Sequence, residues 1–262
     1  MDKKSLILNS IIKEYLKCNS PIGSNELGMK LSFKISPSTI RLYFKELCDI
    51  GELEKLHISS GRVPTHKALQ RYWLKKIDIS QHIELKSKRL SKSIKESNIF
   101  CFIKRDIRDL LQEVINVKNR FLLLVFDTKE VVIEYNEKIE RLMNDFLLTS
   151  LDELKTISMQ IGLYEVARKL EFVTKGDKLF ESGESNIYDM ARELQNEELI
   201  GFYQNTKNFD NLQNGIYFDE IVPKGYIAIK RDVKFQNYSA KLFCVGSLYS
   251  DYEQFFKGVR VA

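Results

Sequence analysis

Apolar positions along the first seventy residues return at three- and four-residue steps, and the pattern breaks at each of three prolines. Leu6, Ile7, Ile11, Ile12, Tyr15 and Leu16 form a stripe of helical spacing that stops at Asn19-Ser20-Pro21. Ser24 then stands where the cap of a short helix through Leu27 and Leu31 is expected, with Gly23 loosening the turn. Ser36-Pro37 is the strongest start signal in the chain, because serine can accept from the free amides of a first turn and proline arrives with its φ already set. The helix it opens is expected to run to about Ile50 and stop at Gly51. Leu53 to Ile58 alternates as a strand, Ser59-Ser60-Gly61 turns, and Arg62-Val63 begins the return. His66 to Lys76 reads as a helix leading out. This succession predicts a winged helix-turn-helix over residues 1–78.

Beyond Asp78 the periodicity weakens. Residues 79–118 are charged and helix-prone and read as linker helices, with Lys86, Lys88, Arg89, Lys92 and Lys95 crowded together as a solvated face or an added DNA contact. Phe121 to Phe126 and Val131 to Tyr135 read as strands, followed by helices at Lys138 to Leu147, Asp152 to Arg168 and Ile187 to Tyr203. Strand-like runs return at Tyr226 to Ile229 and Ala240 to Val245. The mixture predicts an α+β chain, with a second domain over residues 119–262.

Composition narrows the picture. A chain of 262 residues with 44% apolar and 11% aromatic residues can bury two cores and is not disordered. Its longest apolar run, Phe121 to Phe126, is far too short for a membrane span. Lys3 and Lys4 precede a stretch interrupted by Asn9, Ser10, Lys13 and Glu14, so the start reads as an amphipathic helix and not a secretory leader. Cys18, Cys48, Cys101 and Cys244 are scattered, which fits reduced thiols in a cytoplasmic protein. The net charge is +5, but it divides as +6 up to Asp78 and −1 over the rest, placing a basic head on a neutral body.

Enzyme chemistry finds no foothold. His57, His66 and His82 lie in or near the basic segment without H-E-x-x-H spacing, and G-x-S-x-G, a phosphate loop and G-x-G-x-x-G are all missing. Cys48, expected to face a helix core, does not combine with His57 and His66 into a metal site. No cofactor is expected. The chemistry that remains sits on the Pro37 helix. Ile40, Phe44 and Leu47 should face inward, leaving Ser38, Arg41, Leu42 and Lys45 outward with Thr39 in the first turn. Short hydroxyls (Ser24, Ser36, Ser38, Thr39) suit phosphates or base edges, Arg41 suits a guanine edge, Leu42 a thymine methyl and Lys45 a phosphate. Ser59, Ser60 and Arg62 at the wing suit backbone or minor groove. Periodicity alone leaves two other readings open, a solvated face and a protein-docking module.

Resemblance adds to this. Ser36-Pro37-Ser38-Thr39-Ile40-Arg41, then Leu47 and Gly51, then His57-Ile58-Ser59-Ser60-Gly61-Arg62-Val63-Pro64-Thr65 resemble the HrcA family of bacterial heat-shock repressors, and Pro21-Ile22-Gly23-Ser24 matches the family's stretch before its second helix. Fainter similarities are Gln112-Glu113-Val114 before Phe121, like the family's helix-to-strand entry, and Gly246 to Tyr252. The resemblance implies a GAF-like second domain with an inserted dimerisation segment and a homodimer. It further implies an inverted-repeat operator upstream of chaperonin and Hsp70-type chaperone genes, help from chaperonin, inactivation by heat, and no obligatory membrane partner. The chain departs from the family in having Leu42-Tyr43 where a polar pair is usual, and in ending about ten residues after Tyr252. A ligand-gated winged-helix repressor, its GAF-like domain sensing a small molecule, is the other reading of the second domain.

Overall fold

The structure is a computed structural model and describes residues 3–56, 61–81, 83–106, 109–174 and 178–259. Helix α1 (Lys3–Cys18) buries Ile7, Ile11 and Ile12. Helix α2 (Ser24–Lys30) is capped at Gly23 with no side-chain bond, so Ser24 is its first residue and not its cap. Helix α3 (Pro37–Asp49) begins as its sequence signal requires, with the Ser36 hydroxyl accepting from the Thr39 amide at 3.1 Å. It ends in a Schellman turn: Glu52 N–H donates to Leu47 O at 2.9 Å and Gly51 N–H to Cys48 O at 3.0 Å, with Gly51 at φ +71°. Ile7, Ile11, Ile22, Leu27, Ile40, Phe44, Leu47 and Leu53 make one core.

Strands β1 (Leu53–Glu54) and β2 (Val63–Pro64) pair antiparallel, two residues each, shorter than the strand expected to run to Ile58. His57, Ile58, Ser59 and Ser60 lie outside the described residues. Arg62 and Ile22 exchange backbone hydrogen bonds, both 2.9 Å, tying the hairpin to the turn before α2. A Cβ on Gly61 would lie 2.5 Å from the Ile22 carbonyl, so only glycine allows that approach.

Helix α4 (His66–Lys76) begins on Thr65, whose hydroxyl accepts from Ala68 N–H and donates to Gly51 O at 2.8 Å. The N-cap of α4 is thereby fastened to the end of α3. Glu52, nearly buried, pairs with Arg71 on the same helix. The far face of α4 packs into the body: Trp73 Nε1 donates to Leu248 O at 2.9 Å, Tyr72 hydroxyl to Glu253 at 3.0 Å, and His66 Nε2 meets the Tyr249 hydroxyl at 2.9 Å.

Among its described residues the stretch 79–118, expected as linker helices, holds one helix and three strands: β3 (Glu84–Leu85), α5 (Ser87–Ser97), β4 (Ile99–Arg105) and β5 (Leu111–Val117). All five crowded cations are exposed, and behind them Leu90 and Ile94 are buried. Asn98 at φ +50° ends α5 and turns directly into β4, whose residues Ile99 to Ile103 are all buried. Gln112-Glu113-Val114 therefore lies in a strand, not in a helix leading to one.

The chain forms two compact units, residues 1–103 with 180–262, and residues 104–179. In the first, β8 (Lys178–Ser182), β9 (Gly215–Tyr217), β10 (Tyr226–Phe235) and β11 (Tyr238–Ser247) join β3 and β4 in a six-stranded mixed sheet of order β3-β10-β11-β4-β8, with β9 also on β10. Helices α9 (Glu184–Glu193) and α10 (Glu198–Gln204) cover the face carrying Phe100, Phe102, Ala228 and Phe243. Helix α11 (Tyr252–Val259) packs with α5 and places Phe256 under Arg231, on the opposite face. On that face Cys101 and Cys244, distant in sequence, have their sulfurs 2.7 Å apart, and burial pushes the Cys101 thiol well up.

The second unit pairs β5, β6 (Phe121–Phe126) and β7 (Glu130–Glu134) in an antiparallel sheet over α6 (Glu137–Asp145), α7 (Leu151–Gln160) and α8 (Tyr164–Thr174). The single helix expected over Asp152 to Arg168 is split at Gly162, φ +80°, where Leu163 N–H donates to Ser158 O at 2.8 Å. None of the described helices is long and apolar enough to cross a membrane.

Candidate nucleic-acid interface

Helix α3 separates its residues by chemistry. Ile40, Phe44 and Leu47 are buried, while Ser38, Arg41, Leu42 and Lys45 are exposed, Leu42 by 56%. The exposed row follows from helical geometry: with 100° per residue, positions 38, 41, 42 and 45 share the side opposite the core. From Ser36 to Lys45 the sequence holds no carboxylate. The acids farther along are Glu46, paired with Lys4 at 2.9 Å, and Asp49 at the end of the helix. Lys45 makes no ion pair among the described residues, so the face keeps its positive charge.

At the start of α3 three hydroxyls form a cluster. Ser36 Oγ lies 2.7 Å from Ser38 Oγ and 2.8 Å from Thr39 Oγ1 while it accepts the Thr39 amide. These oxygens sit where the helix macrodipole is positive, the end of a helix that favours anions. Ser36 is thus a cap first, and the Ser38 and Thr39 hydroxyls are both engaged with it.

Arg41 and Ser24 meet across the two helices: Arg41 Nε donates to Ser24 Oγ at 3.1 Å. Sequence reasoning set both residues down as separate DNA contacts and offered no signal for the link, because seventeen residues and a turn separate them. Arg62 is half-buried, with its guanidinium carbon 5.9 Å from the Phe44 ring centroid and a 3.4 Å bond to Gly61 O. It lies over the Phe44 ring, midway along α3. Ser59 and Ser60 lie outside the described residues.

Sequence reasoning also passed over the groups that fasten this basic segment. Tyr15 from α1 meets Tyr249 edge-on at 5.7 Å between centroids, and Thr65, read only as part of a motif, holds the ends of α3 and α4 together. Of the imagined metal set Cys48, His57 and His66, His66 is engaged by Tyr249 and His57 lies outside the described residues. Among the described residues no group of three or more His, Cys, Asp or Glu side chains is arranged for a metal.

Comparison with known proteins adds a second line. The HrcA C-terminal domain family matches residues 73–262. Over 261 residues the chain is 29% identical to the heat-inducible transcription repressor HrcA of one Helicobacter pylori strain, covering 99% of this chain and 95% of that protein. With the same protein of a second strain the identity is 30% over 259 residues, with the same coverage. A shorter match to heat-inducible transcription repressor HrcA of Natranaerobius thermophilus reaches 43% over 65 residues, 25% of this chain and 19% of that protein. A crystal structure described only as a hypothetical protein superposes with a TM-score of 0.53 at 19% identity, covering 98% of this chain and 93% of that one. At that identity the superposition speaks to the fold alone.

Proposed function

The chain belongs to the HrcA family of heat-inducible transcription repressors, and on that premise we propose that it represses class I heat-shock operons, those of chaperonin and Hsp70-type chaperones, by binding an inverted-repeat operator as a homodimer in the cytoplasm. In this reading residues 1–78 are a winged helix-turn-helix with α3 as the recognition helix and the β1–β2 hairpin as the wing. The six-stranded sheet and its helices are the GAF-like body, and residues 104–179 are the dimerisation segment inserted into it. The family is one of repressors, not of enzymes.

The observation that carries the DNA reading is the exposed, acid-free row Ser38, Arg41, Leu42 and Lys45 on α3, backed by the buried row Ile40, Phe44 and Leu47. An α-helix with this division fits a major groove, where a two-point arginine–guanine contact discriminates by about 1–3 kcal/mol and leucine packs on a thymine methyl. Lys45, Ser36, Ser38 and Thr39 are assigned to backbone and groove-edge contacts, and Ser59, Ser60 and Arg62 to the wing. A dimer sets two such helices about 34–36 Å apart, or a multiple, on one face of the duplex.

The homodimer reading is supported by the outer face of the β5–β7 sheet. Ile115, Val117, Phe121 and Val132 stand exposed there by 37–51%, in adjacent register, and the partly buried Leu123 and Val125 lie among them. A second copy presenting the same face covers this surface by two-fold packing of sheet on sheet. Heating that loosens this association separates the two recognition helices and releases the operator, and chaperonin restores the active dimer.

A gel-shift titration tests the reading, with a chaperone-operon promoter fragment and a scrambled repeat, each with and without chaperonin. Preferential binding to the intact repeat, strengthened by chaperonin, is the expected result. Equal, salt-sensitive binding to both fragments removes the operator assignment.

A further inference from the structure

We propose that Ser24 is the positioning residue for Arg41: by holding Nε–H it fixes which edge of the guanidinium meets the DNA. The inference rests on the reading of α3 as the recognition helix.

Serine at the start of a helix ordinarily caps it, but here the residue falls one position late. Gly23, at φ −84° and ψ 156°, occupies the cap and has no side chain to offer, so α2 starts without a side-chain cap and the Ser24 hydroxyl has no capping duty. It accepts Arg41 Nε–H at 3.1 Å instead. Ser24 is half-buried and carried on the first turn of α2, so the acceptor sits at a fixed place relative to the row on α3.

A guanidinium offers donors along distinct edges: one includes Nε–H, and the one at the tip is formed by the two terminal amino groups. With Nε–H held by Ser24, the tip edge is the pair available for the parallel acceptors O6 and N7 of guanine. The tether also acts before DNA arrives. An exposed arginine loses rotamer freedom on docking, and one already bonded to a neighbouring helix loses less. The neutral hydroxyl does this without cancelling charge. A carboxylate in the same place would orient Arg41 and at the same time remove the field that draws it to DNA.

The competing role for Ser24 is a direct phosphate contact, and the two roles differ in what they move. The test is a set of operator duplexes, each with one base pair replaced, titrated with the full chain and its variants over a range of salt. Arg41→Ala first identifies the base pair to which discrimination is lost. Ser24→Ala is expected to lose about tenfold of discrimination at that same pair, with the slope of log K against log salt unchanged. Ser24→Thr, which keeps a hydroxyl, restores the discrimination, and the double variant is no worse there than Arg41→Ala alone. Circular dichroism of Ser24→Ala should match the parent, since alanine is a good first-turn residue. Wild-type discrimination in Ser24→Ala overturns the proposal, as does an equal loss of affinity on every duplex, the mark of a lost phosphate contact. If Arg41→Ala itself leaves every base preference intact, the recognition-helix reading fails and the proposal with it.

Discussion

The two sheets of this molecule treat apolar residues in opposite ways. In the first unit β4, β10 and β11 are buried on both faces, with α9 and α10 on one side and α5 and α11 on the other, and apolar residues run without alternation from Ile99 to Ile103. In the second unit β6 is just as apolar, Phe121 to Phe126, yet its burial alternates: Leu122, Leu124 and Phe126 are covered by helices while Phe121 stands 45% exposed. Strands covered on both faces read as continuous apolar runs, and one-sided strands alternate apolar with polar. A one-sided strand with a two-sided composition is short of a cover, and that shortage is the physical basis for assigning residues 104–179 to self-association.

Truncation breaks the comparison most forcefully. Phe243→Ala, in the doubly covered sheet and 4.0 Å between centroids from Phe209, should cost about 3–5 kcal/mol and lower the melting temperature sharply in thermal unfolding. Equal destabilisation by Phe121→Ala, read in the dissociated chain, would erase the distinction between the sheets. Next in size is Phe121→Asp with Val132→Asp, expected to leave the circular dichroism spectrum near that of the parent while sedimentation shows a monomer; a variant still dimeric would move the interface elsewhere. Trp73→Phe keeps one aromatic ring but removes the donor to Leu248 O, and the unpaired buried carbonyl costs about 1–3 kcal/mol, to which the lost volume of the indole adds. A Trp73→Phe protein as stable as the parent would make that hydrogen bond incidental to the docking of α4. The smallest effect is that of Lys45→Ala, which should lower the salt slope of operator binding by about one and weaken all sequences alike. An unchanged slope would exclude a phosphate contact.

Legibility in the sequence followed local chemistry. The limits of α3 were readable because Ser36, Pro37 and Gly51 each act on the backbone beside them, and α4 was read at its observed bounds, His66 to Lys76, without its cap Thr65. Breaks made by ordinary residues were not: Gln195 adopts φ +51° and divides the expected helix Ile187 to Tyr203 into α9 and α10 with no glycine to announce it. The hairpin β10–β11 is ten residues on each side, longer than the runs Tyr226 to Ile229 and Ala240 to Val245, because Lys230 and Arg231 look like a strand's end. Both are buried, Lys230 donating to the carbonyls of Phe209, Asp210 and Leu212 and Arg231 to that of Gln81. Long-range partners cannot be read from a one-dimensional pattern. The exposed row of α3 was legible, and the bond from Arg41 to Ser24 was not.

The most direct test of the account compares operator affinity for one half-site and for the complete inverted repeat, using the parent chain and the Phe121→Asp, Val132→Asp variant. If the uncovered sheet face makes the dimer, the parent gains a large avidity on the complete repeat, about 10²–10⁴-fold over a single half-site, and the variant binds both duplexes with the same weak affinity. A variant that keeps the parent's preference for the complete repeat would contradict the assignment of residues 104–179 and return the search for the dimer interface to the first unit.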